Sequence, residues 1–504
     1  MTGAAPLLQV AELPTLTQPV VTGVAIAYFA VVAAIGAWAA RRTRSARDFF
    51  VAGQGIGLWT LAIASMAATI SGFAFIGGPG LTYSIGLTAV YIVLPASITG
   101  SVSTWVLGKR LRLLAEIRPM ITVPDAIGAR FRSPAAQGLA GLAIAIAVIG
   151  YTATNLLALG VVIKAVFGTS LTIGIVFGTV ITLAYSASGG ILAGVYTDLF
   201  QGMVMAVASV LVFLYVLMVA GGLGGITERI LPVDPTFLSP WGKLGPMAAL
   251  SFFFVFGIGT LGQPHVLHKL FMLRDPRRLK WTPLLTTGAL MLTLLLYFGV
   301  GLATKGLVAN GQMAALASPD DATPMFLLRF TPVLLSAIVF AGVAAAIMST
   351  VNSFLSIGAA ALTHDLPHAL GRRLPDELRI GRLTTAAIAL VAAGVATLSG
   401  TLVAFLGIFG FGLFASTLVP SLAVGLNWAG ATRAGAVASI ATGLVATLLC
   451  ETLGYLKVFT LPTGVSVSGL SLVLSLLVFV VVSWFTRSEA ARDLDPDVRV
   501  VLDA

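Results

Sequence analysis

Apolar stretches of eighteen or more residues recur along the whole chain, and short polar connections between them carry most of the charge. A helix needs about 20 consecutive apolar residues to cross a bilayer. The pattern therefore predicts an all-α polytopic membrane protein. About thirteen segments can be read, near 20–40, 53–82, 86–107, 136–163, 170–187, 193–221, 245–271, 281–304, 325–363, 380–400, 402–427, 434–455 and 464–486. No connection is long enough for a separate soluble domain. The expected organisation is a terminus over 1–19, one transmembrane domain over 20–487, and a polar, poorly ordered tail over 488–504. Thr-Val-Pro-Asp-Ala-Ile-Gly-Ala-Arg-Phe, within residues 120–134, predicts a short helix lying outside the spans.

Two of these segments are interrupted. The second reads Ala67-Ala-Thr-Ile-Ser-Gly-Phe-Ala-Phe-Ile-Gly-Gly-Pro-Gly80, with Ser71-Gly72 near its middle. The seventh reads Phe256-Gly-Ile-Gly-Thr-Leu-Gly-Gln-Pro-His265. A broken helix frees carbonyls that can bind a cation and amides that favour an anion, and lipid tolerates such groups only where they line a cavity. A Gly-rich packing face is the alternative. The interrupted segments lie five apart, so units of five helices over about 53–221 and 245–427 each begin with one. That spacing is expected of inverted-repeat transporters.

Composition supports the membrane assignment and narrows the chemistry. The chain of 504 residues is 58% hydrophobic and 10% charged, with mean hydropathy +1.01, against about 25% charged residues in ordinary soluble chains. The net charge of +10 lies between spans and does not indicate nucleic acid. All basic residues except Lys164, Arg229, Lys243, Lys305, Arg329 and Lys457 fall on one side of the predicted spans. The positive-inside rule makes that side cytoplasmic, with the N-terminus outside and the C-terminus inside. A single cysteine, Cys450, excludes an internal disulfide and a cysteine metal cluster. The first 20 residues have no basic n-region, so no cleaved signal peptide is expected. A bacterial inner membrane is the expected setting.

Residues 346–365 carry the densest polar chemistry: adjacent hydroxyls at Ser349 and Thr350, then Asn352, Ser353 and Ser356 at membrane depth, and Asp365 at the membrane edge where the chain turns basic. Buried hydroxyls need partners. They can form half a cage for a small hard cation, or hold helices together and bond back to their own backbone. Asp198 is the one acidic residue set within a span, near its cytoplasmic start, and is either functional or a helix cap. There is no chain of buried carboxylates or histidines of the kind a proton pump uses, and His265 is the only histidine near an expected cavity. Sodium held by neutral oxygens is therefore favoured over protons.

Taken in order, Asp48-Phe-Phe-Val-Ala-Gly-Gln54, Ile70-Ser71-Gly72, Gly189-Gly190 through Asp198 and Gln201, Gly262-Gln-Pro-His265, and Met348-Ser-Thr-Val-Asn-Ser353 through Asp365 resemble the sodium:solute symporter family over roughly residues 20–485. The resemblance implies a LeuT-like fold with broken helices two and seven, and sodium as the co-transported ion. It implies a sodium site built from the carbonyls of Ala67, Ile70 and Ala346 and the hydroxyls of Ser349 and Thr350, with Asp198 a station on the ion's path. It implies a solute site at Ser71, Gly72, Phe73, Gly77, Tyr151, Phe256, Thr260 and Gln263. Thr69 stands where proline symporters carry an aspartate. Phe73, Phe256 and Thr260 replace their two tryptophans and a tyrosine, and Tyr151 is kept. Sugar symporters use an acidic-amide pair where this chain has Phe73 and Ala74. The run Ala74-Phe-Ile-Gly-Gly-Pro-Gly-Leu-Thr-Tyr-Ser-Ile-Gly86 is most similar to the pantothenate and monocarboxylate branch.

The expected function is sodium-coupled import of a small organic carboxylate by alternating access, with proline or another amino acid as the alternative cargo. The partners are solute and membrane lipid. A transporter-like sensor is the competing class, opposed by the lack of an output domain; strict coupling of fluxes would separate a symporter from a channel. No acid–base or nucleophile cluster indicates an enzyme.

Overall fold

A computed structural model of the chain describes residues 19–42, 56–69, 71–400, 403–459, 461, 462 and 464–503. Residues 1–18 of the predicted 1–19 terminus, the Asp48–Gln54 motif and Ile70 lie outside these residues. Among the described residues, eleven helices are long and apolar enough to cross a membrane, and two shorter apolar helices, Leu58–Ala67 and Leu171–Ala184, account for the remaining predicted segments.

Helix α1 (Pro19–Arg42) precedes the first five-helix unit. In that unit α2 (Leu58–Thr69) and α3 (Gly78–Ile85) are the halves of one interrupted helix, linked through a π-helical turn at Phe73–Gly77. Gly86, at φ +69°, ends α3, and a side chain there would collide with the Phe237 carbonyl. The chain then enters α4 (Val90–Ser103) and the shorter α5 (Lys109–Ile117) and α6 (Val123–Phe131). Helix α6 is the short helix expected outside the spans. It starts with a capping box in which Thr122 and Asp125 satisfy each other's backbone N–H groups. Helices α7 (Pro134–Phe167) and α8 (Leu171–Ala220) complete the unit.

The predicted segments 170–187 and 193–221 appear as two apolar stretches, Leu171–Ala184 and Gly194–Ala220, but no non-helical connection parts them. Both lie in α8, which stays helical through Ser188-Gly189-Gly190. Glycine weakens a helix by only about 1 kcal/mol, and without a left-handed residue or a proline nothing ends it there.

The second unit repeats the interruption: α9 (Gly245–Gly259) and α10 (Pro264–Leu270) flank a break, followed by α11 (Thr282–Ala309), α12 (Ala322–Phe330), α13 (Val333–Ala360), α14 (Glu377–Leu398) and α15 (Val403–Val419). Helices α16 (Arg433–Tyr455) and α17 (Val467–Phe485) are appended and pack on each other and on α15. Helices α7 and α13 are the most deeply buried spans, so the fold is organised around them.

The tail is more ordered than its polarity suggests. Residues Arg487–Asp493 and Pro496–Asp503 are helical. Val498, Val501 and Leu502, at i, i+3 and i+4, form a buried face against α5. Arg118 and Arg132 both reach Asp495, at 2.8 and 2.7 Å, and hydrogen bonding from Arg132 holds that carboxyl below its ordinary range.

Arg130 is the largest fully buried side chain. Its guanidinium donates to the carbonyls of Gly425, Trp428 and Ala431 at 2.8, 3.0 and 3.4 Å, tying α6 to the turn after α15. Arg130→Met would strand these carbonyls. We expect it to destabilise the fold by about 3 kcal/mol, seen as a lowered melting temperature of the detergent-solubilised protein.

Candidate functional site

The first break follows from Ser71-Gly72. Helix α2 ends at Thr69, and Ser71 is non-helical. Four amides that begin the second half are already bonded: Gly72 N–H donates to Asn155 Oδ1 at 2.9 Å, Phe73 N–H to Ser71 Oγ at 3.2 Å, and the Ala74 and Phe75 amides to the Ser71 carbonyl. The amide end is thus closed on the protein itself and does not serve as an open anion site. Asn155 on α7 is held in turn by its own Nδ2, which donates to the Tyr151 carbonyl at 2.8 Å.

The second break follows from Pro264. Proline drives the preceding residue out of helical geometry, and Gln263 is extended at φ −81°, ψ 102°. Gln263 Nε2 donates to the Gly259 carbonyl at 3.0 Å, which closes the end of α9, while its Oε1 is buried and accepts nothing. The Thr260 hydroxyl meets the Thr99 hydroxyl of α4 at 2.7 Å and donates to the Gly257 carbonyl.

Between the breaks lies a cavity. Phe73, Tyr151, Phe256, Thr260 and Gln263, five of the eight solute residues the resemblance implies, line it, and so do Thr69 and His265. Phe73 and Phe256 face each other nearly parallel, with ring centres 6.3 Å apart, and Phe411 packs on Phe256 at 4.5 Å. Among the described residues, no aspartate, glutamate, lysine or arginine lines this space. Three expected solute residues do not line it. Ser71 is buried in its own turn, Gly72 abuts Ala158 and Ile347, and Gly77 abuts Val403 and Ala404. They shape the backbone that presents Phe73. Ser97, Ser103 and Thr286 line the cavity without having been singled out. In sequence they are ordinary hydroxyls of apolar helices, and only the packing of α4 and α11 around the breaks selects them.

Three of the expected sodium ligands, Ala346, Ser349 and Thr350, lie together on α13, which packs on the helix α2 that carries Ala67. Ala67, Ala346, Ser349 and Thr350 are completely buried. Residues 346, 349 and 350 share a face of α13, α13 packs on α2, and Gly72 lies directly against Ile347. The Thr350 hydroxyl donates to the Ala346 carbonyl at 3.0 Å, holding two of the expected ligands together. Ser349 Oγ is buried and makes no hydrogen bond. A buried orphan hydroxyl is costly. Together with neighbouring carbonyl oxygens it fits a small cation.

Asp198 lies deeper than the sequence suggested. It is fully buried in α8 and forms a 2.6 Å ion pair with Lys269 of α10, itself buried. Lys269 therefore needs correcting from a cytoplasmic loop charge to an interior residue. Removing one partner of such a pair costs about 3–5 kcal/mol. The signal available in sequence was its place in the apolar run Val266-Leu-His-Lys-Leu-Phe271, directly after a break. Asp365, placed at the membrane edge by sequence, is also fully buried, and accepts from the Thr122 hydroxyl at 2.6 Å and Gln137 Nε2 at 3.2 Å.

Two interrupted helices facing each other across a cavity, with buried hydroxyls beside one break, define a secondary transporter of the five-plus-five LeuT class. The chain belongs to the sodium:solute symporter family, whose profile matches residues 49–443, and sodium is its co-transported ion. The osmoregulated proline transporter OpuE of Bacillus subtilis is 27% identical over 92% of this chain and 94% of its own length. The sodium/pantothenate symporter of Escherichia coli is 28% identical over 81% and 85%. Among solved structures, a Na+-coupled sialic acid symporter superposes with a TM-score of 0.75 at 17% identity, covering 94% of this chain and 98% of that one. A nucleobase-cation-symport-1 family transporter reaches 0.56 at 16% identity, over 90% and 98%. These two likenesses establish the fold alone.

Proposed function

We propose that this chain imports a small solute whose one formal charge is a carboxylate, pantothenate or a monocarboxylate, with sodium across a bacterial inner membrane. Its N-terminus lies outside and its C-terminus in the cytoplasm. The carrying observation is the cavity's lining among the described residues: aromatic rings, Gln263, His265 and hydroxyls, with no ionic side chain. A solute carboxylate in such a space is neutralised by the co-transported cation, which binds where Thr69 and the first break adjoin the cavity. An amino acid would bring an ammonium as well, with no carboxylate side chain in the lining to meet it. Proline is the second reading, favoured by the retained Tyr151 and by the relatives that carry it.

Sodium is held by the carbonyls of Ala67, Ile70 and Ala346 and the hydroxyls of Ser349 and Thr350, and leaves past Asp198. Its binding joins α2 to α13 and shapes the solute cavity; solute then permits closure and release on the other side. The inward membrane potential adds about 2.3 kcal/mol per charge per 100 mV. The test is uptake of labelled pantothenate, pyruvate, acetate and proline in proteoliposomes, with and without an inward sodium gradient. We expect sodium-driven accumulation of pantothenate or a monocarboxylate. Accumulation of proline alone would overturn the first reading in favour of the second.

A further inference from the structure

The pair of Asp198 and Lys269 does more than neutralise a buried charge. Lys269 Nζ donates to Asp198 Oδ2 and to the Ala64 carbonyl, both at 2.6 Å. Ala64 is three residues before Ala67 on α2, one helical turn from an expected sodium ligand. One ammonium thus ties together α2 of the first broken helix, α10 of the second, and α8. The carboxylate's other oxygen, Oδ1, makes no hydrogen bond, and neither does the hydroxyl of Ser349. The Ser349 hydroxyl nonetheless faces Asp198 as a weak hydrogen-bond donor, too loosely placed to make a well-formed bond, so the two lie close. The arrangement therefore offers an unbonded carboxylate oxygen and an unbonded hydroxyl beside the sodium ligands, with a tethered cation on the far side of the same carboxylate.

We propose that Lys269 is a positioning residue of the sodium cycle: its ammonium and the transported sodium ion compete for Asp198. While the ammonium holds the carboxylate, α10 stays fastened to α2 and the cytoplasmic route is shut. When sodium steps from Ser349 onto Asp198, two cations share one carboxylate at low dielectric, and their repulsion favours release of the lysine. Helix α10 then loses its tie to α2 and α8 and can shift about the extended Gln263 at its start, with His268 to the Ile121 carbonyl at 2.8 Å as a remaining side-chain anchor. No proton is transferred and no covalent bond changes. His265, on the same short helix, lines the solute cavity, so releasing α10 also alters the solute site. Sodium exit and solute exit are thereby linked through one residue. The proposal rests on the sodium site described above.

The test uses full-length protein in proteoliposomes. Variants K269M, K269R, D198N and K269M/D198N are assayed for net sodium-driven uptake, for solute exchange with saturating sodium on both faces, and for sodium leak without solute. With its competitor gone, sodium should stay on Asp198 in K269M. Half-saturating sodium should fall about fivefold and net uptake about tenfold, while exchange, which bypasses return of the empty carrier, falls no more than about threefold. The neutral double variant lacks both tether and trap, so its sodium leak should rise about fivefold over wild type. If K269M does not fold, this double variant decides. Leak and sodium half-saturation equal to wild type in the double variant, or an equal loss of uptake and exchange in K269M at unchanged sodium half-saturation, would overturn the proposal. S349A is run in parallel: its sodium dependence reports on the sodium site itself, so a failure there is distinguishable from a failure of the lysine mechanism.

Discussion

Ser349→Ala is expected to raise the sodium concentration for half-maximal uptake by about ten- to a hundredfold, the loss of roughly 1.5–3 kcal/mol that a hydrogen bond or ligand contact to a charged group contributes. Solute exchange at saturating sodium should recover most of its rate. The substitution is informative because Ser349 Oγ makes no hydrogen bond within the protein. Removing it costs only the loose contact with Asp198, so the fold should change little and the effect should fall mainly on the ion. Thr350→Ala is less clean, since that hydroxyl donates to the Ala346 carbonyl at 3.0 Å, and part of its effect will come from rearranging an expected ligand. Thr350→Ser keeps the oxygen and should behave close to wild type. A sodium dependence unchanged in both Ser349→Ala and Thr350→Ala would move the sodium site elsewhere in the molecule.

The parts of this architecture visible in the sequence are those with local causes. Spanning helices need long apolar runs, and a break needs residues that cannot continue a helix. Hence Ser71-Gly72 and Gln263-Pro264 marked the two interruptions, and Ser349-Thr350 marked a polar face on an apolar helix. Phe73, Tyr151, Phe256, Thr260 and Gln263 do line one cavity, although Phe73 and Tyr151 each lie more than 75 residues from the nearest of the others; here the resemblance supplied what periodicity could not. What escaped depends on partners remote in sequence. Lys269 looks like one more basic residue before a cytoplasmic loop until Asp198, 71 positions away, is found against it. Asn155 is a lone amide in the apolar run of α7, and its role appears only when the Gly72 amide, 83 positions away, points at it. The tail looked disordered because its few apolar residues seem too sparse for a core, yet Val498, Val501 and Leu502 share one face and α5 covers it.

The close approach of the first break to its neighbours makes Gly72 the position where the smallest addition should do the most harm. A methyl group there would stand 2.6 Å from the Ala158 Cβ, 3.0 Å from Ile347 Cγ1 and 3.3 Å from Asn155 Oδ1. Ala158 Cβ sits rigidly on α7 and cannot swing aside as the end of a long side chain could, so the backbone of the break must move. Overpacking of this kind costs about 1–3 kcal/mol. Its direction matters more than its size. Displacing residue 72 pulls the Gly72 amide off Asn155 and shifts the break away from Ile347, separating the carbonyls of the first broken helix from Ser349 and Thr350. Phe73, the next residue, turns its ring with it and distorts the cavity wall it forms with Phe256. Gly72→Ala should therefore reduce sodium-driven uptake more than about tenfold while the protein still reaches the membrane, since binding geometry tolerates only about 0.5 Å of misplacement. Adding Ala158→Gly removes the closest contact and should restore a measurable part of the rate; the remaining contact with Ile347 limits the recovery. Uptake kinetics of the single and double variants at equal membrane abundance check both statements. Wild-type transport by Gly72→Ala alone would mean that the break is held less tightly against α7 and α13 than these distances require.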